Sequence, residues 1–153
     1  IGATIQLVFD DPNLSLKDSE IKRVVICSGK VFYNLFEERE KRKINNIRIL
    51  RLEQIYPFPS KTLKEMLSKI PNAEVVWCQE EPKNMGAWFF VDRRIEQVLV
   101  DIKAKLTRPI YAGRLEAASP ATGSFSRHNK EQNDLVNDAL QLTTKKASQH
   151  AAE

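Results

Sequence analysis

Strand-like segments alternate with helix-like segments along this chain, and this alternation constrains its fold more than any other feature of the sequence. The segment RVVICSG, residues 23–29, is apolar at successive positions, which is typical of a strand covered on both faces. IRILRLE at 47–53 and AEVVWCQ at 73–79 are predicted to be the next strands, and RPIYAGR at 108–114 a short fourth one. At the front of the chain, ATIQLVFDD at 3–11 is also strand-like.

Apolar residues at helical spacing separate these strands. One stripe at i, i+3, i+4 and i+7 consists of Leu63, Met66, Leu67 and Ile70. Ser60 and Ser126 are the predicted N-caps of two of the helices. Strands that alternate with helices are joined by right-handed crossovers, so the sequence predicts an α/β fold with a parallel or mostly parallel sheet.

Length and composition fit one compact domain. The chain has 153 residues, 42% of them hydrophobic, which suffices for a continuous core without disulfides or metal. No window approaches the ~20 apolar residues of a membrane span, and the N-terminus lacks the pattern of a signal peptide. We therefore expect a soluble, intracellular protein. Because the chain starts with Ile1, it is interpreted as a piece of something longer.

Charge and cysteine usage exclude two classes of function. The 24 basic and 20 acidic residues give a net charge of +4, but they are interleaved, which argues against nucleic-acid binding. Cys27 and Cys78 each lie in or beside an apolar run, so buried free thiols in a reducing compartment are favoured over a disulfide. With only His128 and His150 besides, no spacing matches a zinc site.

Three loops that follow predicted strands carry unusual sequence, and ligands or partners meet such loops in parallel sheets. They contain CSGK, EQIYPFP and CQEEPKNMGAW. In the first, Ser28, Gly29 and Lys30 form a weak candidate anion site, because free N–H groups at a strand-to-helix corner can hold an anion. One glycine does not make a phosphate-binding motif, so a tight turn with Lys30 in solvent is the competing interpretation.

The third loop does not carry a catalytic pair. Glu80 and Glu81 are neighbours, so in an extended segment they point to opposite sides and cannot act as a facing acid and base. His128 has no assignable partner for catalysis, and a capping or surface role is the alternative.

The same loop has residues that restrict the conformation of its backbone. Pro82 restricts Glu81 to extended geometry, Gly86 permits a turn, and Asn84 can cap the next helix. Trp88 supplies apolar area for either the core or an interface. Two interpretations stay open: a core-packing tryptophan beside solvated glutamates, or a contact with another domain or subunit.

Four motifs in this order carry a resemblance to a known family: CSGK, EQ-x-YPFP, WCQEEP-x-N-x-GAW and ASPA-x-G. Together they make residues 21–140 similar to the C-terminal region of the 2-oxoglutarate dehydrogenase family, which uses thiamine diphosphate. The resemblance implies a three-layer, transketolase C-terminal-like domain with a mostly parallel sheet of about five strands. It also implies that residues 1–20 are the end of an interdomain linker with a strand, 21–142 the α/β domain, and 143–153 a frayed tail.

The resemblance further implies a structural, assembly or regulatory role. The parent chain would decarboxylate 2-oxoglutarate and succinylate lipoamide in the citric acid cycle, with thiamine diphosphate and magnesium held by earlier domains. This chain would then have no catalytic, cofactor or metal residues and be inactive alone. Expected partners are the preceding domains, a second subunit of a homodimer and the dihydrolipoyl succinyltransferase core, with no nucleic acid and no membrane. The location would be the cytoplasm in bacteria or the mitochondrial matrix in eukaryotes.

Within that role, six residues of the third loop are the candidate interdomain or subunit contacts: Gln79, Glu80, Glu81, Asn84, Gly86 and Trp88. A hypothesis of another class is a self-standing α/β module whose strand-end loops bind a nucleotide or acyl-coenzyme A, motivated by the positive charge and by CSGK.

Overall fold

A computed structural model describes residues 6–120 and 123–142 of the chain. The strands are β1 (Val8–Phe9), β2 (Arg23–Ser28), β3 (Ile47–Leu52), β4 (Glu74–Pro82) and β5 (Ile110–Arg114). The helices are α1 (Val31–Lys41), α2 (Ser60–Leu67), α3 (Trp88–Asp101) and α4 (Phe125–Leu140), and a 3-10 turn covers Asp18–Glu20. The predicted tail, residues 143–153, lies outside the described part.

The strands form one sheet in the order β1-β3-β2-β4-β5. All neighbours run parallel except β1, which pairs antiparallel with β3 through Val8 and Leu52. The carboxyl ends of β2 to β5 therefore lie at one edge of the sheet, called here the carboxyl edge, and their starts at the opposite amino edge. The predicted fold class, an α/β domain with a mostly parallel five-stranded sheet, is confirmed.

Two apolar cores cover the two faces of the sheet. Because successive side chains of a strand point to opposite faces, β2 sends Val24 and Ile26 to one core and Val25 and Cys27 to the other. The first core is completed by α2 and α3, the second by α1 and α4. This division explains why residues 24–27 are all apolar: neither face of β2 meets water there.

The segment before β2 is held to the domain by a buried ion pair. Asp11 accepts hydrogen bonds from both terminal nitrogens of Arg39 and from the Ile49 N–H, the last at 2.8 Å. Arg39 also donates to the Ile47 carbonyl at 3.2 Å, and its side chain is fully buried. Residues 8–11 are thus packed into the domain, while the linker role of residues 1–20 stays a prediction.

Three local predictions were wrong. The N-cap of α4 is Ser124, not Ser126, because Ser124 is the extended residue whose Oγ accepts the Arg127 N–H at 3.3 Å. Asn84 does not cap α3, since its amide is used elsewhere and Ala87 precedes the helix. Ser60 is the first residue of α2 and follows Pro59, which stands at the N-cap position and has no side-chain acceptor to offer.

The strand predicted at 73–79 continues further than its apolar run. It reaches Pro82, which is paired with Arg114 after an irregularity in the register beyond Cys78. The two glutamates of the third loop are therefore strand residues. No helix within the described ranges is long and apolar enough to cross a bilayer.

Candidate functional site

The buried side chain of Gln79 organises the end of β4 and the loop that follows it. Its Oε1 accepts the Trp77 indole N–H at 2.9 Å and the Trp88 backbone N–H at 3.0 Å. Its Nε2 lies 2.8–3.2 Å from three backbone carbonyl oxygens, those of Glu81, Pro82 and Met85. One amide thus joins the strand, the turn after it and the first residue of α3.

Gly86 is required where the loop turns toward α3. Its φ is +65°, in the left-handed region that favours glycine. A Cβ there would lie 3.1 Å from the Glu81 Cβ and 3.2 Å from the Gln79 Nε2, closer than ordinary packing allows. The predicted turn at Gly86 is confirmed, and its reason is the close approach of Gln79.

The two glutamates do different things. Glu80 is half-buried and its Oε1 accepts a hydrogen bond from Gln132 Nε2 of α4 at 2.9 Å. Glu81 is exposed, and its side chain lies beside Gly86. Because the segment is a strand, the two carboxylates do not face each other, as the sequence predicts.

Asn84 joins the loop to the segment that follows β5. Its Nδ2 donates to the Ala117 carbonyl at 2.9 Å, and its Oδ1 accepts the Ala117 N–H at 3.0 Å. This reciprocal pair of bonds holds two neighbouring carboxyl-edge loops together. Of the six candidate contact residues, Gln79 and Trp88 are buried and do not reach the surface of the domain.

Trp88 packs inside the domain. It is 5% exposed, and its ring centroid lies 5.2 Å from that of Tyr111 on β5. The next residue, Phe89, is 61% exposed at the start of α3. For the tryptophan the core-packing interpretation holds in this structure, and Phe89 is the aromatic that this loop presents to solvent. Contact of the six candidate residues with another domain or subunit stays a prediction.

A chain of polar contacts at the carboxyl edge was missed by sequence reasoning. Arg114 Nη2 lies 3.1 Å from His128 Nδ1 and 3.4 Å from Gln132 Oε1, and Gln132 in turn donates to Glu80. Glu80, Arg114 and the two α4 residues come from three separate segments, and only the packing of α4 on β4 and β5 brings them together.

At the CSGK corner the structure shows a tight turn. Gly29 has φ +77°, Lys30 is exposed, and the Ser28 hydroxyl donates to the Leu52 carbonyl at 3.1 Å. The hydroxyl is therefore used within the sheet. The turn interpretation is confirmed, and the anion site stays a prediction.

Cys27 and Cys78 are neighbours across β2 and β4, and both are buried and free, as predicted. Burial raises the pKa of the Cys27 thiol from 9.0 to about 12 and that of Cys78 well above its usual value. Neither is a nucleophile near neutral pH, because the thiolate is the reactive form. Within residues 6–120 and 123–142, no three His, Cys, Asp or Glu side chains come together as metal ligands.

In the comparison with known proteins, the family model and the curated relatives indicate the same family. A family model described as 2-oxoglutarate dehydrogenase C-terminal matches residues 2–140. The 2-oxoglutarate dehydrogenase E1 components of Brucella anthropi and Brucella ovis are each 58% identical over 124 residues, which is 81% of this chain. The chain spans only 12% of the length of these relatives.

Among solved structures, the chain is similar to one described as a split gene transketolase, inactive beta4 tetramer. The TM-score is 0.48 at 13% identity, over 78% of this chain and 38% of that chain. A likeness at this level transfers neither activity nor assembly from that protein to this chain.

Proposed function

The chain belongs to the family of 2-oxoglutarate dehydrogenase C-terminal domains, and from this membership we propose that it positions the other parts of a longer dehydrogenase polypeptide. That polypeptide decarboxylates 2-oxoglutarate on thiamine diphosphate and transfers the succinyl group to lipoamide. The observation that carries the proposal is the 58% identity to E1 components whose length far exceeds that of this chain.

We propose that the carboxyl edge is the surface through which this chain contacts the other parts of the polypeptide. Gln79 bonds the loop from inside and Asn84 bonds it from the side, so hydrogen bonds fix the position of its backbone on both sides. Glu81 and Phe89 then project from that fixed frame into solvent. Exposed aromatic side chains are enriched at contact surfaces, whereas a carboxylate there would act as a polar contact at the rim. Its partners would be the preceding domains and the second subunit of a homodimer.

Thiamine diphosphate and magnesium belong, in this proposal, to other domains. The described residues offer no cluster of carboxylate, imidazole or thiolate groups that could hold the metal, and the two thiols are buried and protonated. We therefore assign no step of the reaction to this chain. The dihydrolipoyl succinyltransferase core is the proposed further partner of the whole polypeptide. Its location would be the bacterial cytoplasm or the mitochondrial matrix, according to the source.

The proposal is tested by replacing Glu80 and Glu81 with alanine in two contexts. In the 153-residue chain the double variant should lower the free energy of unfolding by only about 0–1 kcal/mol per carboxylate, since both are at least partly solvated. In the longer polypeptide it should make the free energy of assembly less favourable by about 2–5 kcal/mol, because donors on the partner surface would be left buried without their carboxylates. Thermal unfolding measures the first effect, and dimer dissociation with activity measures the second.

A matched control is the double alanine variant of Glu37 and Glu38, adjacent glutamates of α1 that lie away from the carboxyl edge. In the short chain it should lower the free energy of unfolding by only about 0–1 kcal/mol, and in the longer polypeptide it should weaken assembly by no more than that. Equal small effects of both double variants would show that Glu80 and Glu81 are ordinary surface residues. A large loss in the short chain alone would show that they stabilise the domain internally.

The predicted inactivity of the chain has a separate test. Calorimetric titration of the 153-residue chain with thiamine diphosphate and magnesium should give no specific heat, and no carbon dioxide should be released from 2-oxoglutarate. Micromolar binding of the cofactor, or turnover by the purified chain, would contradict the assignment of the chemistry to other domains.

A further inference from the structure

A pocket of about 790 Å³ opens at the amino edge of the sheet, at the opposite ends of the strands from the Gln79 loop. Its volume lies within the range of small-molecule sites, roughly 300–1,000 Å³. The segments that lead into β2, β3, β4 and β5 line it, together with Leu142 after α4, and three of them bring one lysine each: Lys22, Lys69 and Lys105.

Backbone hydrogen bonds hold the lining segments together. The Lys22 N–H donates to the Asn46 carbonyl at 2.8 Å, and the Glu74 N–H donates to the Lys22 carbonyl at 3.0 Å. The Lys105 N–H donates to the Pro71 carbonyl, also at 3.0 Å. The backbone that carries the lysines is thus already in place, so a ligand would not have to order it on binding.

The lysines are the charges of this pocket that have no ion-pair partner among the described residues. All three are exposed, and none forms a salt bridge with any side chain in the described part of the chain. The two acidic residues in the lining are both engaged by arginines. Asp18 Oδ1 lies 2.7 Å from Arg48 Nη1, and Glu74 Oε1 lies 2.7 Å from Arg23 Nε.

The helix dipoles reduce the positive charge but do not cancel it. Helices α2, α3 and α4 all end at the amino edge, and residues that follow them, Lys69, Lys105 and Leu142, line the pocket. Each C-terminus contributes about −0.5 of an elementary charge, so three ammonium groups against three such termini leave a net charge of about +1.5 at the pocket.

We infer that this pocket binds a small anion of the phosphate class with at least two negative charges. Lysine binds phosphate as a point charge, and three lysines around one cavity can neutralise a dianion without a precise hydrogen-bonding geometry. The inference does not rest on the proposed function, because the pocket lies at the other edge of the sheet from the surface proposed for assembly.

The test is a nuclear magnetic resonance titration of the 153-residue chain with inorganic pyrophosphate. Backbone amides of Lys22, Asn46, Asn72 and Lys105 should shift with saturation at millimolar pyrophosphate or below. The triple variant K22Q/K69Q/K105Q should weaken binding at least about tenfold, equivalent to about 1.4 kcal/mol. Glutamine keeps the polarity and much of the length of the side chains, and these exposed positions tolerate it without loss of fold.

The matched control, K61Q/K83Q/K130Q, removes the same charge from lysines nearer the carboxyl edge and outside the CSGK corner. It should leave the affinity for pyrophosphate unchanged. Pocket amides that do not respond to millimolar pyrophosphate would overturn the inference, as would an equal loss of binding in the two triple variants. Shifts confined to Gly29 and Lys30, with no response at the pocket amides, would place the anion at the CSGK corner and overturn it too.

Discussion

At the scale of single residues, Gln79 does more for the candidate site than any other side chain. It satisfies two N–H donors and lies within hydrogen-bonding distance of three carbonyl oxygens, and it is 3% exposed. Gln79→Ala would leave these groups buried without partners, and each such group costs about 1–3 kcal/mol. We expect a loss of at least about 3 kcal/mol in denaturant unfolding of the chain. Gln97→Ala, which removes an exposed glutamine of α3, should cost less than about 0.5 kcal/mol.

The buried thiols give a prediction about pH at the same scale. The pKa of Cys27 is raised by burial from 9.0 to about 12, so between these values the unfolded state loses a proton that the folded state keeps. Stability is therefore unaffected below pH 9 and falls as pH rises above it, by at most about 1.4 kcal/mol per pH unit for this thiol. Chemical unfolding of the native chain and of Cys27→Ala at about pH 8 and about pH 10 measures the difference. Identical pH slopes for the two proteins would contradict the burial of the thiol.

At the scale of elements, a buried ion pair helps to hold the segment that contains β1, which also pairs with β3. Asp11 and Arg39 are both buried, and Asp11 also accepts the Ile49 N–H of β3. Asp11→Ala removes the buried carboxylate of the fully buried Arg39 and leaves it only the exposed Glu40, 2.9 Å from Nη2, so we expect a loss of about 3 kcal/mol, at the lower end of the cost of breaking a buried pair. Replacing both residues, Asp11→Leu with Arg39→Met, should restore part of that loss, because no charge is then buried. A double variant less stable than Asp11→Ala would contradict this account.

At the scale of the whole molecule, the two cores share one sheet and should unfold together. Ile49 belongs to the core under α1 and α4, and Leu63 to the core under α2 and α3. Both are fully buried, so Ile49→Ala and Leu63→Ala should each lower the unfolding free energy by about 2–5 kcal/mol. Each variant should keep a single transition by circular dichroism and by tryptophan fluorescence. Separate transitions in either variant would show that the faces are independent.

The class of fold was determined by the sequence alone. The apolar run of β2 required a helix layer on each face, and the alternation of strands with helices required parallel neighbours. The CSGK, QEEP and GAW motifs, read together, also identified the family. Each of these signals is a local sequence pattern or the order of such patterns along the chain. They can therefore be recognised without any knowledge of tertiary contacts.

The hydrogen-bond partners of each site residue were decided only by the tertiary structure. Gln79 could have pointed outward by sequence, but the indole of Trp77 and the start of α3 offer it buried partners. Asn84 was predicted to cap a helix, but Ala117, 33 residues later, supplies a reciprocal pair of bonds. Hydrogen bonds between distant segments leave no periodicity in the sequence, because each depends on where the sheet places its neighbours. For the same reason the lysines of the amino-edge pocket, dispersed along the chain from Lys22 to Lys105, come together only in the folded molecule.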